Sequence, residues 1–211
     1  MNVCLITSML SFPEKPLSYS ARRSIFSPRE RLQQTLTTID SVRRKISGCK
    51  VVLVEMGAET AMMETLRQSV DKIVLIGTKR LVRSACDSRY KGLGEAAGLL
   101  AAADQLRDLG DYYFKLSGRY YLDDDFHLEE WAGHGFTARL YGKAISTRLY
   151  GFPVELFDKW CKALWRSLPW LALGRGLEYE MYRHLGRSEI NTIELLGVSG
   201  LVGPDGVALK E

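Results

Sequence analysis

Three short apolar runs, at residues 3–7, 50–54 and 73–76, are separated by stretches long enough for a helix, and this alternation limits the possible folds more than any other feature of the chain. Runs this short, rich in β-branched residues, read as buried strands. The first connection contains Ser27-Pro28-Arg29-Glu30. Ser27 suits an N-cap, Pro28 suits the first helical position, where its missing N–H costs nothing, and Glu30 completes a capping box. Leu32, Leu36, Ile39, Val42 and Ile46 then recur at three- and four-residue steps as one apolar face, and Gly48 stops the helix. A second helix is expected over about 59–69. Strands alternating with helices imply a parallel sheet with right-handed crossovers. The expected fold class is therefore α/β: one domain with a mostly parallel central sheet flanked by helices.

Residues 111–126 read DYYFKLSGRYYLDDDF. A strand over 112–116 delivers Ser117-Gly118-Arg119 to its own C-terminal end, and Asp123, Asp124 and Asp125 follow soon after. In open α/β sheets ligands sit at that end of the strands. By the same rule Thr7 and Ser8 close the first strand there, and Glu55-Met56-Gly57 close the second. After the third strand a basic segment, with Lys79, Arg80, Arg83, Arg89 and Lys91, leads into Gly92-Leu93-Gly94-Glu95 and a small-residue helix. Glycines at a helix start let an anion approach backbone N–H groups. That pattern alone is weak, because a basic stretch also serves as a solvated face. Residues 10–26, rich in Pro and Ser, form a long loop that either contacts a substrate or is a solvated excursion.

Further on, 136–141 and 145–149 resemble a hairpin around Gly142-Lys143. Val154, Phe157, Trp160, Cys161, Leu164, Trp165 and Leu168 share a helical face with Lys159, Lys162 and Arg166 beside it. Such a face either packs on the core or lies on a membrane surface. A helical run over 176–185, a last strand over 193–196 and a glycine-rich turn region over 197–206 complete the chain.

With 211 residues the chain can bury a core without a disulfide or metal. A net charge of +4 suits an anionic ligand such as a nucleotide but falls short of a dedicated nucleic-acid binder. Cys4, Cys49, Cys86 and Cys161 form no CxxC pair and read as thiols of a reducing compartment. His127, His134 and His184 have no ligand spacing. The start has no basic n-region and no run is long enough to span a bilayer, so a cytoplasmic location is expected, whether the chain is whole or one domain of a longer protein.

In the order of these pieces the chain resembles nucleotide-sugar glycosyltransferases of the GT-A fold, nearest to the family 2-like inverting enzymes. The resemblance covers roughly 1–125, as the nucleotide-binding part, and is thin over 126–211, the acceptor and catalytic part. It implies a nucleotide-sugar donor, a UDP-sugar first, and a glycan or lipid-linked glycan acceptor, as in polysaccharide biosynthesis. Thr7, Ser8, Glu55, Lys91, Gly92, Gly94, Lys115 and Ser117 would bind the donor, and Glu178 or Glu180 would be the base that takes the acceptor proton. Two positions apart on a helix, those glutamates point about 200° apart, so only one can face a cleft; Glu178 is preferred.

The departure from the family lies at its metal-binding D-x-D, where this chain has Ser117-Gly118-Arg119. A guanidinium can offset a departing diphosphate through paired charge-assisted hydrogen bonds, so Arg119 is expected to replace the ion and no cofactor is preferred. Alternatively Arg119 pairs with Asp123 or Asp125 and merely ties down a turn. In a third arrangement Asp123 and Asp125 hold Mn²⁺ or Mg²⁺. The closing segment lacks the histidine that many metal-dependent relatives carry there. A metal-dependent nucleotidyltransferase and a non-catalytic sugar-nucleotide-binding module are the competing functions. A helix bearing Trp160 and Trp165 would supply any peripheral membrane contact.

Overall fold

The computed structural model describes residues 1–131, 133 and 135–211. His134 lies outside them. In chain order the elements are β1 (Asn2–Ser8), α1 (Pro28–Lys45), β2 (Lys50–Glu55), α2 (Met63–Ser69), β3 (Lys72–Leu75), α3 (Arg80–Cys86), α4 (Lys91–Leu106), β4 (Tyr112–Ser117), β5 (Tyr120–Leu122), β6 (Phe136–Tyr141), β7 (Ala144–Pro153), α5 (Phe157–Ala172), α6 (Leu177–Leu185), β8 (Ile190–Thr192), β9 (Val198–Leu201) and β10 (Ala208–Lys210). The main sheet has seven strands in the order β3-β2-β1-β4-β7-β6-β8. Strands β1 to β4 pair in parallel, while β7 runs antiparallel to both β4 and β6. The fold is thus one α/β domain with a mostly parallel sheet, as the strand–helix alternation requires.

The capping box at Ser27 starts α1, with the Glu30 carboxylate accepting the Ser27 N–H at 2.7 Å. Alternate strand residues face opposite layers. Val3, Leu5, Val52 and Tyr113 join a core with α4, α5 and α6, whereas Cys4, Ile6, Leu53 and Phe114 pack against α1 and α2. From β1 the chain winds outward through β2 and β3, then crosses back to place β4 on the other side of β1. The strand order reverses between β1 and β4, and in such sheets a crevice opens there above the strand ends.

Several local expectations are corrected. Part of the basic segment is a helix, α3, ending at Cys86 against Gly94, where a Cβ would come within 2.9 Å of the Cys86 Cα. Gly92 likewise faces Leu177 of α6, with a Cβ position 3.0 Å from the Leu177 Cβ. These glycines let three helices pack closely, a demand that sequence spacing does not display. The strand expected over 193–196 is absent, and strands stand at Ile190–Thr192 and Val198–Leu201 instead. Gly197, at φ 64°, turns the chain between them beside Phe126. The glycine-rich 197–206 region contains β9 and the start of a hairpin with β10, and β5 completes that small antiparallel sheet. Trp160 is fully buried and donates its indole N–H to Tyr150 at 3.0 Å, so it is core; Trp165 is 67% exposed. Among the described residues no helix is long and apolar enough to cross a membrane.

Candidate active site

Two clefts open over the β1/β4 reversal. The smaller, about 120 Å³, lies between Thr7 and Ser8 of β1, Arg31 of α1, Lys91, Gly94 and Glu95 of α4 and the Ser117-Gly118-Arg119 turn, roofed by Phe12 and Leu17. The larger, about 540 Å³, is walled by Tyr19, Tyr120, Tyr141, Thr147, Arg148, Glu178 and Asp205. Lys91, Ser117 and Arg119 line both. The long loop after β1 is therefore a wall of both clefts. Arg23 anchors it by donating to the carbonyls of Lys15, Cys86 and Ser88.

The turn after β4 is pinned at its glycine. The Gly118 N–H donates to the Thr7 carbonyl at 2.9 Å, and a Cβ there would lie 3.0 Å from that oxygen. This directs Arg119 into the opening. Its guanidinium lies 5.6 Å from the Tyr120 ring centroid and forms no ion pair among the described residues. Gly203 makes room for it, since a Cβ there would fall 2.1 Å from Arg119 Nη1. The alternative in which Arg119 pairs with Asp123 or Asp125 is overturned. Asp123 accepts from the Ser199 hydroxyl, Asp124 from Lys45 and Asp125 from Lys210. The three carboxylates thus diverge, and among the described residues no group of three or more histidine, cysteine, aspartate or glutamate side chains is placed to hold a metal ion.

Lys115 does not reach the cleft as a free cation. Fully buried, it donates to the Glu95 carboxylate, to Ser117 Oγ at 3.1 Å and to the Thr147 carbonyl at 2.6 Å, which engages all three of its protons. It ties α4, β4 and β7 together beneath the cleft. Burial raises the Glu95 pKa, but Lys115 and then Lys91 outweigh it and leave the carboxyl below its ordinary value. Lys91 is open to the cleft, and Arg119, followed by burial, pulls its ammonium down to about 7. Solvent reaching Lys91 screens part of that repulsion.

Glu55 also turns away from the opening. It is fully buried, and its Oε1 accepts the N–H groups of Leu10 at 3.1 Å and Gly57 at 2.7 Å. Burial raises its pKa, against the opposing hydrogen bonds and Arg31. A strand-end carboxylate expected to meet a ligand instead satisfies the backbone of the turn beneath the cleft.

The two glutamates of α6 separate as helical geometry requires. Glu178 lines the larger cleft and accepts the Thr147 hydroxyl at 3.0 Å. Glu180 is 1% exposed and lies among Arg175 at 3.1 Å, His184 at 3.5 Å and Arg183 at 3.6 Å, a packing role on the other side of the helix. Spacing alone did not reveal Arg31, Tyr19, Thr147 or Arg148. Arg31 stands beside the apolar stripe of α1, and the others lie on a loop and a strand whose partners are remote in sequence. Arg148 is held by Glu211 at 2.7 Å, with its guanidinium 5.7 Å from the Tyr120 ring.

No protein-family profile matches the chain, and no curated protein matches its sequence. Solved structures do match its fold. The galactosyltransferase LgtC, solved with donor and acceptor sugar analogs, superposes with a TM-score of 0.61 at 10% identity, covering 98% of this chain and 88% of that one. An active-site variant of LgtC gives 0.56 at 10% identity, with 97% and 88% covered. The glycosyltransferase GlyE of Streptococcus pneumoniae TIGR4 gives 0.53 at 11% identity, and there 92% of this chain spans 46% of the other. The chain thus has the GT-A-like α/β fold.

Proposed function

We propose that this chain is a glycosyltransferase that moves a sugar from a nucleotide-sugar donor, a UDP-sugar first, to a hydroxyl of a glycan or lipid-linked glycan. The observation that carries this reading is the meeting of two clefts at Lys91, Ser117 and Arg119, with Glu178 on the far wall of the larger. The fold shared with two glycosyltransferases supports it. The donor's phosphates take the side of Thr7, Ser8, Lys91 and Arg119, and its sugar faces the larger cleft, among Tyr19, Tyr120 and Tyr141. An acceptor hydroxyl there loses its proton to Glu178 as its oxygen forms a bond to the anomeric carbon. The bond from that carbon to the diphosphate oxygen breaks, and Arg119 takes up the charge left on the diphosphate. Thr147 orients the carboxylate for this task.

In this reading the diphosphate is met by side-chain cations, and a divalent ion at Asp123 and Asp125 is not required. The protein works in the cytoplasm, where its thiols stay reduced, with the Trp165 side of α5 against a membrane surface. The test is a panel of nucleotide sugars given to the full chain with EDTA or Mn²⁺, followed by mass spectrometry of released nucleotide and glycosylated acceptor. Pyrophosphate release from a nucleoside triphosphate would favour a nucleotidyltransferase. Nucleotide binding with neither transfer nor hydrolysis would favour a binding module.

A further inference from the structure

The face that α1 buries is more polar than its leucine spacing implies: Arg31, Thr35, Thr38 and Ser41 lie on it with Ile39 and Val42. Thr35 Oγ1 shares its proton between the Arg31 carbonyl at 2.9 Å and the Gly118 carbonyl at 3.2 Å, and Ser41 Oγ accepts the Leu122 N–H at 2.9 Å. This stripe docks α1 along the segment from the β4 end to β5. Arg31, one turn before Thr35, reaches the smaller cleft from it.

Arg31 is 8% exposed. One of its nitrogens donates to Gln34 Oε1 at 3.2 Å, its Nε has no partner, and it enters no ion pair among the described residues. Other charged groups around the cleft are mostly committed. Arg23 is held by three carbonyls, Glu95 by Lys115, and Glu55 by the turn N–H groups beneath. Lys91 and Arg119 remain, and both are basic, so neither supplies Arg31 with a negative partner. Burial, and after it Arg119, lowers the Arg31 pKa to about 9, which still leaves it charged at neutral pH. Glu55 is the carboxylate that acts on it, and that group is already held by the turn N–H groups without contacting Arg31 as an ion pair. A buried guanidinium with no ion pair among the described residues, sharing a cleft with a second guanidinium, opposes folding of the unliganded chain. An apolar side chain of similar volume would fill the site without that cost.

We infer that Arg31 and Arg119 are the two halves of an anion clamp, and that its ligand is a pair of linked phosphates. Each guanidinium presents a planar fork that matches a phosphate, so two of them fit a diphosphate better than a single phosphate. Only the identity of what the diphosphate carries rests on the glycosyl-transfer reading.

The test is isothermal titration of the full chain with pyrophosphate and with inorganic phosphate in EDTA, for the parent and for Arg31→Met, together with thermal unfolding of both without ligand. Pyrophosphate is expected to bind the parent more tightly than phosphate does. Arg31→Met should lose at least tenfold of that affinity yet melt at an equal or higher temperature, because it sheds a buried charge that forms no ion pair among the described residues. The reverse pair, a lower melting temperature with intact pyrophosphate affinity, would assign Arg31 to holding the helix and overturn the proposal. So would a parent that does not bind pyrophosphate. Arg31→Lys covers the case in which the first variant does not fold. It keeps the charge without the fork and should bind with intermediate affinity; parental affinity in it overturns the clamp. The glycosyl-transfer reading fails on a separate result, the absence of turnover with every nucleotide sugar, which leaves the pyrophosphate titration intact.

Discussion

The Thr147 hydroxyl donates to the Glu178 carboxylate at 3.0 Å, while the carbonyl of the same threonine accepts from Lys115 at 2.6 Å. One residue of β7 therefore joins the acid on the cleft wall to the buried lysine of β4. Glu178→Gln is expected to lower kcat by about 10²- to 10⁴-fold, the usual worth of a positioned base, with nucleotide affinity unchanged. Thr147→Val, which removes only the orienting bond, should lower kcat less. A kcat in Glu178→Gln equal to the parent's would remove the assignment.

Arg119→Ala is expected to lose about 10²- to 10³-fold in transfer rate, with Arg119→Lys recovering only part. Gly203→Ala should reproduce some of that loss, because its methyl would occupy the place of Arg119 Nη1. Activity should persist in EDTA and in Asp123→Asn and Asp125→Asn. Full dependence on Mn²⁺ or Mg²⁺, abolished by either aspartate change, would move the charge-offsetting role to the triplet.

Glu55→Ala should cost about 1–3 kcal/mol in urea unfolding, since it strands the buried N–H groups of Leu10 and Gly57. The pH dependence has a definite sign. Burial raises the folded-state pKa of Glu55 above the ordinary 4.5, so the unfolded chain ionises first as pH rises. This group's contribution to stability is fully present below 4.5 and is lost on going above it. Glu55→Gln should flatten that decline. A decline just as steep in Glu55→Gln would show that another group causes it.

Lys91 gives a second pH signature. Arg119 and then burial draw its ammonium down from the ordinary 10.5 towards about 7, solvent at the cleft offsets part of that shift, and its charge is therefore available to an anion at lower pH and is lost as pH rises above 7. UDP affinity is expected to fall between pH 6 and pH 8.5, and to fall less in Lys91→Met, as read by calorimetry. The same shift makes the unliganded fold gain stability from 7 towards 10.5, where only the unfolded chain keeps the extra proton. An equally steep loss of UDP affinity in Lys91→Met would assign the titration elsewhere.

Trp165 and Leu173, 67% and 74% exposed, flank Arg166 on the outer side of α5 and just beyond its end. Co-sedimentation with vesicles containing anionic lipid should be strong for the parent and weak for Trp165→Ser, and it should weaken with salt. Equal sedimentation of the two proteins would count against the membrane contact.

Which parts of this were legible in the sequence follows from the range of the forces involved. The capping box at Ser27, the strand runs and their alternation with helices are local, set by backbone sterics and by periodicity within a few residues. They determine the parallel sheet, and with it the placement of Thr7, Ser8 and the Ser117-Gly118-Arg119 turn at one edge. The opposite facing of Glu178 and Glu180 follows from helical geometry for the same reason. The fate of each charge was decided by tertiary structure. Lys115, Arg119, Glu55 and Arg31 all looked like polar groups near strand ends or on a helix. Packing then supplied Lys115 with Glu95 and Glu55 with two backbone donors, but among the described residues it gave an ion pair neither to Arg119 nor to the buried Arg31. A charge is satisfied by whatever lies within hydrogen-bond reach, and for these residues that neighbour comes from another element of the chain, which no local pattern specifies.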